Sequence, residues 1–264
     1  MAEILVLGGM HGNEPLGPAL VRSLEQSPIT GVDAAIANER AVSRGVRFID
    51  KELSVHARPG GNKYEDRRFG ELTKIARGHQ LVLDFHNAVA PDTHEAWMFP
   101  PPPSIKKAVR WLLHRADIRY VIGFPQEAEL YKKLPPTVAV EIGMPSSGYA
   151  SWERSQVSRW RGILQEMAST GLGNLRPQSG SKIICFEALQ AVMRDEAKQK
   201  KLETLAGLRR YAKLPSKAVT ALGLAPDTYR VLSWGYRNMS KPVPGTDGER
   251  ECWGQLVRDV QSFV

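Results

Sequence analysis

Two histidine-containing stretches carry the residue types best suited to chemistry. His11 and Glu14 are three positions apart in the sequence Gly-Gly-Met-His-Gly-Asn-Glu, which Pro15 follows, and His86 comes directly after the largely apolar run 81–85. Two imidazoles and one carboxylate are ligands that Zn²⁺ takes in proteins. Three protein ligands leave a fourth position for water, as in catalytic rather than structural zinc sites. These residues therefore predict one Zn²⁺ ion per chain that can activate water.

A metal that activates water also needs a nearby group that accepts and passes on the proton of that water. Glu141 is the best candidate, because it ends the apolar run 138–140. A carboxylate in such a setting is costly to bury unless it has a partner or a function. We therefore predict that Glu141 is the general base.

These side chains need a scaffold that brings distant parts of the chain together. Apolar runs predict strands over 4–7, 32–37, 81–85 and 137–142, and helical periodicity predicts helices over 15–26, 64–77, 105–114 and 151–170. This alternation favours a three-layer α/β/α fold with a central mixed sheet. Open α/β sheets bind ligands at the carboxyl ends of their strands, which is where the two histidines and Glu141 are predicted to lie.

Composition limits the range of partners and compartments. The 264 residues carry a formal charge of +8, but basic runs with interleaved aromatic residues are missing, so we expect a small-molecule partner and no nucleic acid. No apolar stretch approaches the ~20 residues that cross a bilayer, and no leader is expected. Cys185 and Cys252 are isolated, which predicts a reducing, cytoplasmic location. Whether the chain forms a homo-oligomer is left open.

The chain is predicted to divide into two regions. Residues 175–181 contain Pro, Gly and two Ser residues, which favours a boundary that separates a domain of residues 1–174 from a region of residues 175–264. In the second region, residues 186–210 are charged and rich in Lys, and the stretch from residue 214 is interrupted by prolines. We expect this region to be mainly helical, and the sequence assigns no role to it.

Three short segments carry a resemblance to a known family. His-Gly-Asn-Glu at 11–14, Asp-Phe-His-Asn at 84–87 and Val-Glu-Ile-Gly at 140–143 resemble the three signatures of the aspartoacylase/succinylglutamate desuccinylase family, a branch of the zinc carboxypeptidase-like fold. Residues 38–50 are similar to the loop between the first two signatures. The resemblance covers roughly residues 3–170, and it implies that the first domain is a zinc hydrolase.

The resemblance also implies a role for each matched residue. His11, Glu14 and His86 would bind zinc, and Glu141 would be the base that later protonates the departing amine. Arg47 would polarise the scissile carbonyl and stabilise its oxyanion, which suits a guanidinium donor.

Other matched residues would support these groups. Asn87 would be a polar contact for the substrate, and Asp84 would accept a hydrogen bond from a ligand imidazole. Arg67 and Arg68 lie in a segment similar to the start of the family's next helix, and we predict that they bind a substrate anion.

Two departures from the family pattern stand out. Where the family usually has Asp-Leu-Asn-Arg, residues 52–55 are Glu-Leu-Ser-Val, and Val55 cannot grip a carboxylate as an arginine does. The family's capping domain is rich in strands, whereas residues 175–264 are predicted to be mainly helical.

Three hypotheses follow. The first is a zinc-dependent amidohydrolase that removes the acyl group from an N-acylated amino acid or a similar small amine. The second is a zinc carboxypeptidase that releases a carboxyl-terminal residue, although Val55 argues mildly against the cationic pocket that this reaction needs. The third is a metal-free binding or scaffold protein, which the complete set of four residues disfavours.

Overall fold

The structure is a computed structural model, and it describes residues 2–88, 91, 93–124, 128–177, 183–193, 213–214, 216–221, 229–234 and 252–260. The chain divides into two compact units, and the second unit begins at residue 184. The boundary predicted after residue 174 lies upstream of this division. Leu175 is buried, which is consistent with its place in the first unit.

The first unit alternates strands and helices along the chain. Its strands are β1 (Ile4–Gly8), β2 (Val32–Ile36), β3 (Leu81–Ala88), β4 (His94–Met98), β5 (Tyr120–Gly123) and β6 (Thr137–Gly143). Its helices are α1 (Leu16–Gln26), α2 (Glu39–Arg44), α3 (Tyr64–Ile75), α4 (Pro103–Arg115) and α5 (Tyr149–Thr170), and a 3₁₀ turn follows at Leu172–Asn174. Four strands and four helices lie where the sequence predicts them, and their ends differ by a few residues.

The strands of this unit form a mixed sheet in the order β2-β1-β3-β6-β4-β5. β1 is parallel to both β2 and β3, and β3 is parallel to β6. β4 is antiparallel to β6 and parallel to β5. Every residue of β1 is buried, as expected for a strand with both faces covered. The predicted α/β class with a central mixed sheet is therefore confirmed.

Opposite faces of the sheet are covered by different helices. Leu5 and Leu7 of β1 share a buried cluster with Phe69 of α3, whereas Phe85 of β3 contacts Trp160 of α5 edge-on at 4.7 Å between ring centroids. The sequence patterns predict neither a helix nor a strand for residues 94–98 and 120–123, which form β4 and β5. Among the described residues, none of the helices has the length and apolar character needed to span a bilayer.

The second unit differs from the sequence prediction. It contains β7 (Ile184–Met193), α6 (Ser216–Ala221), β8 (Tyr229–Trp234) and β9 (Cys252–Val260), and β9 pairs antiparallel with both β7 and β8. The helix predicted over 186–210 is thus wrong for residues 186–193, and residues 194–210 lie outside the described residues.

The error in the second unit has a physical cause. Residues 187–191 are Glu-Ala-Leu-Gln-Ala, which have high helix propensity as single residues. Their strand conformation comes instead from pairing with β9, where Cys185 lies opposite Val260 and Met193 lies opposite Cys252. Strand preference depends on such cross-strand context more than on local composition. The prediction of a mainly helical region is therefore corrected for the described residues.

Two buried carboxylates at the start of α3 organise the loop before it. Glu65 accepts hydrogen bonds from the backbone N–H groups of Ile49 at 2.7 Å and Asp50 at 3.1 Å. The next residue, Asp66, accepts from the backbone N–H of Arg58 at 2.7 Å and pairs with the Lys51 ammonium at 2.8 Å. The helix start therefore fixes the loop that contains Arg47 and Glu52.

We expect Asp66→Ala to lower the free energy of unfolding at pH 7 by about 2–3 kcal/mol, because it removes a buried acceptor of three hydrogen bonds, one of them from a charged ammonium. Burial raises the pKa of Asp66, but the bonds from Lys51, Arg58 and Lys63 lower the pKa more, so it lies below its usual value. The stabilisation is therefore complete above the pKa of about 3.9 in the unfolded chain, and it is lost as the pH falls through the lower folded value.

Urea denaturation of the wild type and the variant at pH 7 and pH 3 measures this difference. Asp33→Ala is the control, because the Asp33 carboxylate is exposed and water can replace it as the partner of His79. A variant as stable as the wild type at pH 7 would show that the loop does not depend on Asp66.

Candidate metal centre

A tight turn after β1 places His11 and Glu14. The backbone N–H of Glu14 donates to the carbonyl of His11 at 3.1 Å, so the two side chains lie on the same side of the turn. Gly12 is needed here, because a Cβ at this position would overlap the backbone of Ala41. The N–H of Gly12 also donates to the carbonyl of Arg47 at 3.2 Å, which brings the Arg47 loop to the same place.

The three predicted ligands converge. Nδ1 of His11 lies 2.7 Å from Oε1 of Glu14, and Nδ1 of His86 lies 2.9 Å from Oε2 of the same carboxylate. The two imidazole rings are 5.0 Å apart, and one ligand atom from each of the three residues lies within 4.8 Å of the others. The residues are only 6%, 8% and 4% exposed for His11, Glu14 and His86. His86 is far from His11 and Glu14 in the sequence. It lies close to them in space because β3 runs parallel to β1 and next to it.

A second carboxylate stands behind each histidine. Nε2 of His11 is 3.2 Å from Oε1 of Glu52, and Nε2 of His86 is 3.0 Å from Oδ2 of Asp84. A carboxylate accepts the proton on Nε2 of each ring, so Nδ1, which lies beside Glu14, is the nitrogen left to bind a metal. This arrangement fixes the tautomer and orientation that a metal-binding imidazole needs.

Asp84 was predicted for this role, whereas Glu52 was missed. Glu52 appears in the sequence only within the stretch 52–55 that departs from the family pattern. A glutamate in a charged loop gives no local signal of a distant imidazole partner. Its contact with His11 arises from the fold of the loop, in which the backbone N–H groups of His56 and Ala57 both bond to the carbonyl of Glu52.

The cluster is electrostatically coupled. Burial lowers the pKa of both histidines, but nearby carboxylates outweigh it: Glu14 beside His11, and Asp84 with Glu14 beside His86, raise the pKa of each imidazole. Burial raises the pKa of Glu14, yet the two imidazoles hold it far below the usual range. Burial also raises the pKa of Glu52, but the hydrogen bond with His11 lowers this pKa to about 2.

The donor set fits zinc. Two imidazole nitrogens aimed at one point, together with a carboxylate that stays charged, form the combination that catalytic zinc sites use. The carboxylates of Glu14, Glu52 and Asp84 around the two imidazoles favour a cation at this point. His11, Glu14 and His86 are therefore the residues that would hold the metal.

Glu141 lies beside this set. It pairs with His86 in the register of β3 and β6, and its Oε1 is 4.0 Å from Nδ1 of His86. Burial raises the pKa of Glu141 to about 7; His86 opposes this shift, and the charges of Glu14 and Glu95 add to it. The side chain is 25% exposed, so it is accessible from one side. A carboxyl group with a pKa near 7 can both accept and donate a proton at neutral pH.

Arg47 lies at the edge of the cluster. Its guanidinium nitrogens are 3.5 Å from Oε1 of Glu14 and 3.6 Å from Oε1 of Glu52, and its side chain is 35% exposed. These ion pairs are long, and a guanidinium has five N–H donors. Arg47 therefore has donors that can face a bound molecule.

Asn87 is buried and holds other parts of the site. Its backbone N–H donates to Oε2 of Glu14 at 3.2 Å, and its side-chain oxygen accepts from the N–H of Leu16 at 2.9 Å, the first residue of α1. Its side-chain nitrogen donates to the carbonyl of Ile142 at 3.4 Å. These contacts hold Glu14 and the start of α1 in place, and the contact of Asn87 with substrate stays a prediction.

Arg67 and Arg68 are not part of the cluster. Arg67 is exposed and donates to the carbonyl of Asn62 at 2.7 Å. Arg68 is buried, donates to the carbonyl of Ala37 at 2.8 Å and pairs with Glu71 at 2.8 Å. Arg68 therefore ties α3 to the chain after β2, and neither arginine is included in the site that we propose.

No protein-family model matches the sequence, and no curated protein matches it either. Solved structures do match. Succinylglutamate desuccinylase from Chromobacterium violaceum superposes with a TM-score of 0.66 at 16% identity, covering 99% of this chain and 85% of that chain. A point mutant of murine aminoacylase 3 superposes with a TM-score of 0.66 at 14% identity, covering 98% of this chain and 94% of that chain.

A third structure, succinylglutamate desuccinylase from Vibrio parahaemolyticus, has a TM-score of 0.58 at 13% identity, covering 99% of this chain and 82% of that chain. Likeness at such identities concerns the fold. The chain therefore has the α/β fold of the desuccinylase and aminoacylase structures, which is the fold expected from the three segments that resemble the family's signatures.

Proposed function

We propose that the protein is a zinc-dependent amidohydrolase that removes the acyl group from an N-acylated amino acid or a similar small amine. The observation that carries this proposal is the convergence of His11, Glu14 and His86, with Glu141 4.0 Å from His86. Two of the structures that share the fold are named as a desuccinylase and an aminoacylase, which supports cleavage of an acyl–nitrogen bond.

Each residue of the cluster has a task in this reaction. Nδ1 of His11, Nδ1 of His86 and the carboxylate of Glu14 would hold the zinc ion. When bound, zinc polarises the amide carbonyl and makes water a better nucleophile at neutral pH. Glu52 and Asp84 keep the imidazoles in the required orientation, because each accepts the proton on Nε2.

Glu141 moves the proton. Its carboxylate takes a proton from the attacking water as the carbon–oxygen bond forms, and it gives that proton to the amide nitrogen as the carbon–nitrogen bond breaks. The products are a carboxylic acid and an amine. Arg47 donates hydrogen bonds to the carbonyl oxygen, on which negative charge develops during the attack.

The direct test uses the purified protein of 264 residues with and without zinc. We expect about one zinc ion per chain by elemental analysis, and zinc-dependent release of amine from members of a panel of N-acyl amino acids. Removal of the metal with a chelator should abolish the release, and added zinc should restore it.

The same assay separates the alternatives. Cleavage of peptides at their carboxyl terminus, with no action on N-acyl amino acids, would indicate a carboxypeptidase and contradict the proposal. A protein that binds no zinc and gains no activity when zinc is supplied would indicate a metal-free binding or scaffold protein.

A further inference from the structure

The segment of residues 128–134, here called the bracing segment, contacts the outer side of the candidate metal centre. Tyr131 in this segment is buried, and its hydroxyl donates to Oδ2 of Asp84 at 2.6 Å. The same hydroxyl lies 3.2 Å from Nε2 of His86. The tyrosine is therefore in contact with both members of the Asp84–His86 pair, on the side away from Glu14.

Asp84 depends on these two donors for its orientation. The residue is 0% exposed, and its Oδ2 accepts from both Tyr131 and His86. Its Oδ1 has no hydrogen-bond partner among the described residues. Because one oxygen makes all of these bonds, loss of the tyrosine hydroxyl would leave His86 alone to set the rotation of the carboxylate.

Tyr131 is itself held in place. Its ring stacks on Phe124 with centroids 4.2 Å apart and an angle of 7° between the ring planes. Phe124 in turn contacts Phe99 edge-on at 5.3 Å. A buried, stacked ring has little freedom to move, so the hydroxyl is a fixed donor.

The bracing segment also reaches the other histidine. The backbone N–H of Leu130 donates to the carbonyl of Ser54 at 3.1 Å, and the Ser54 hydroxyl donates to Oε1 of Glu52 at 3.3 Å. Oε1 of Glu52 is the atom that faces Nε2 of His11. One short segment is thus connected to the outer carboxylates of both histidines.

We propose that Tyr131 is a positioning residue of the metal centre: through Asp84 it orients the imidazole of His86 and so sets the affinity for zinc. This inference rests on the proposed function, because it presumes that His86 binds the metal. Outer partners of metal-binding histidines typically change metal affinity by 10- to 100-fold.

The test is the zinc dissociation constant of Tyr131→Phe, measured by competition with a chelator. We expect binding about 10-fold weaker or more than in the wild type. Tyr149→Phe is the matched control, because it removes a hydroxyl that bonds to Glu153 at 2.8 Å within α5. An unchanged constant in Tyr131→Phe would overturn the inference, even if the melting temperature of the zinc-free protein fell.

A double-mutant cycle tests whether the tyrosine acts through Asp84. Asp84→Asn should weaken zinc binding, and adding Tyr131→Phe to it should weaken binding little further; fully additive losses would overturn the proposed route. Should Tyr131→Phe not fold, Asp84→Asn alone keeps the inference testable, because unchanged zinc affinity in that variant would show that Asp84 does not pass the effect of Tyr131 on to His86. A wild type that binds no zinc would instead overturn the proposed function.

Discussion

Glu141→Gln is expected to lower the turnover of N-acyl amino acid hydrolysis by about a thousandfold while the protein keeps its zinc. Glutamine has nearly the same shape as glutamate, but its amide cannot accept a proton from water at neutral pH. General acid–base catalysis typically contributes 10²- to 10⁴-fold to a rate, and Glu141 is proposed to act in both bond formation and bond cleavage. Glu141 is not one of the three predicted ligands, so the metal content should not change.

The measurement compares kcat and zinc content in the wild type and Glu141→Gln, both loaded with zinc. Glu166→Gln is the matched control, because Glu166 is a half-exposed residue of α5 that pairs with Arg115 at 2.8 Å, and its loss should leave turnover unchanged. Turnover close to that of the wild type in Glu141→Gln would show that another group moves the proton.

His86→Ala is expected to have the second large effect, which is loss of both zinc and activity. The substitution removes one of three ligands and leaves Asp84 and Glu14 without the imidazole that lies between them. We expect zinc affinity to fall by more than about a hundredfold, beyond the usual effect of losing an outer partner. Zinc analysis after dialysis and the amine-release assay measure the two losses.

His79→Ala is the control for this substitution. His79 precedes β3, whereas His86 lies near the end of that strand. The ring of His79 bonds to Asp33 at 3.0 Å and to the carbonyl of Ala76 at 3.1 Å. The control should retain full zinc content. A stoichiometric zinc ion in His86→Ala would mean that the metal is bound elsewhere in the protein.

The parts of the site that the sequence predicts are those with a local pattern. Apolar runs identify β1, β3 and β6, and the polar residues at or shortly beyond the ends of these runs are the ones that meet. The sequence does not predict β4 or its direction, because this strand is short and begins with charged or polar side chains. The pairing of Glu95 with Glu141 across β4 and β6 is therefore not predicted either.

The sequence around a residue cannot predict a role that depends on a partner far along the chain. Glu52 and Tyr131 face the histidines only after the loop and the bracing segment have folded against β1 and β3. Residue type alone does not show what a side chain contacts: the guanidinium of Arg68, which was predicted to bind a substrate anion, donates to the backbone carbonyl of Ala37. The strands β7, β8 and β9 among the described residues of the second unit were missed for the same reason, since their pairing joins residues far apart in the chain.

The parallel arrangement of β1, β3 and β6 has a consequence for how this site can change. Adjacent strands lie about 4.8 Å apart, so backbone hydrogen bonding, rather than loop length, sets the separation of the proposed base from its nearest ligand. A slip of one residue between β3 and β6 would turn Glu141 to the opposite face of the sheet. Insertions in loops other than the one that contains Arg47 and Glu52 would therefore leave the distance between Glu141 and His86 unchanged.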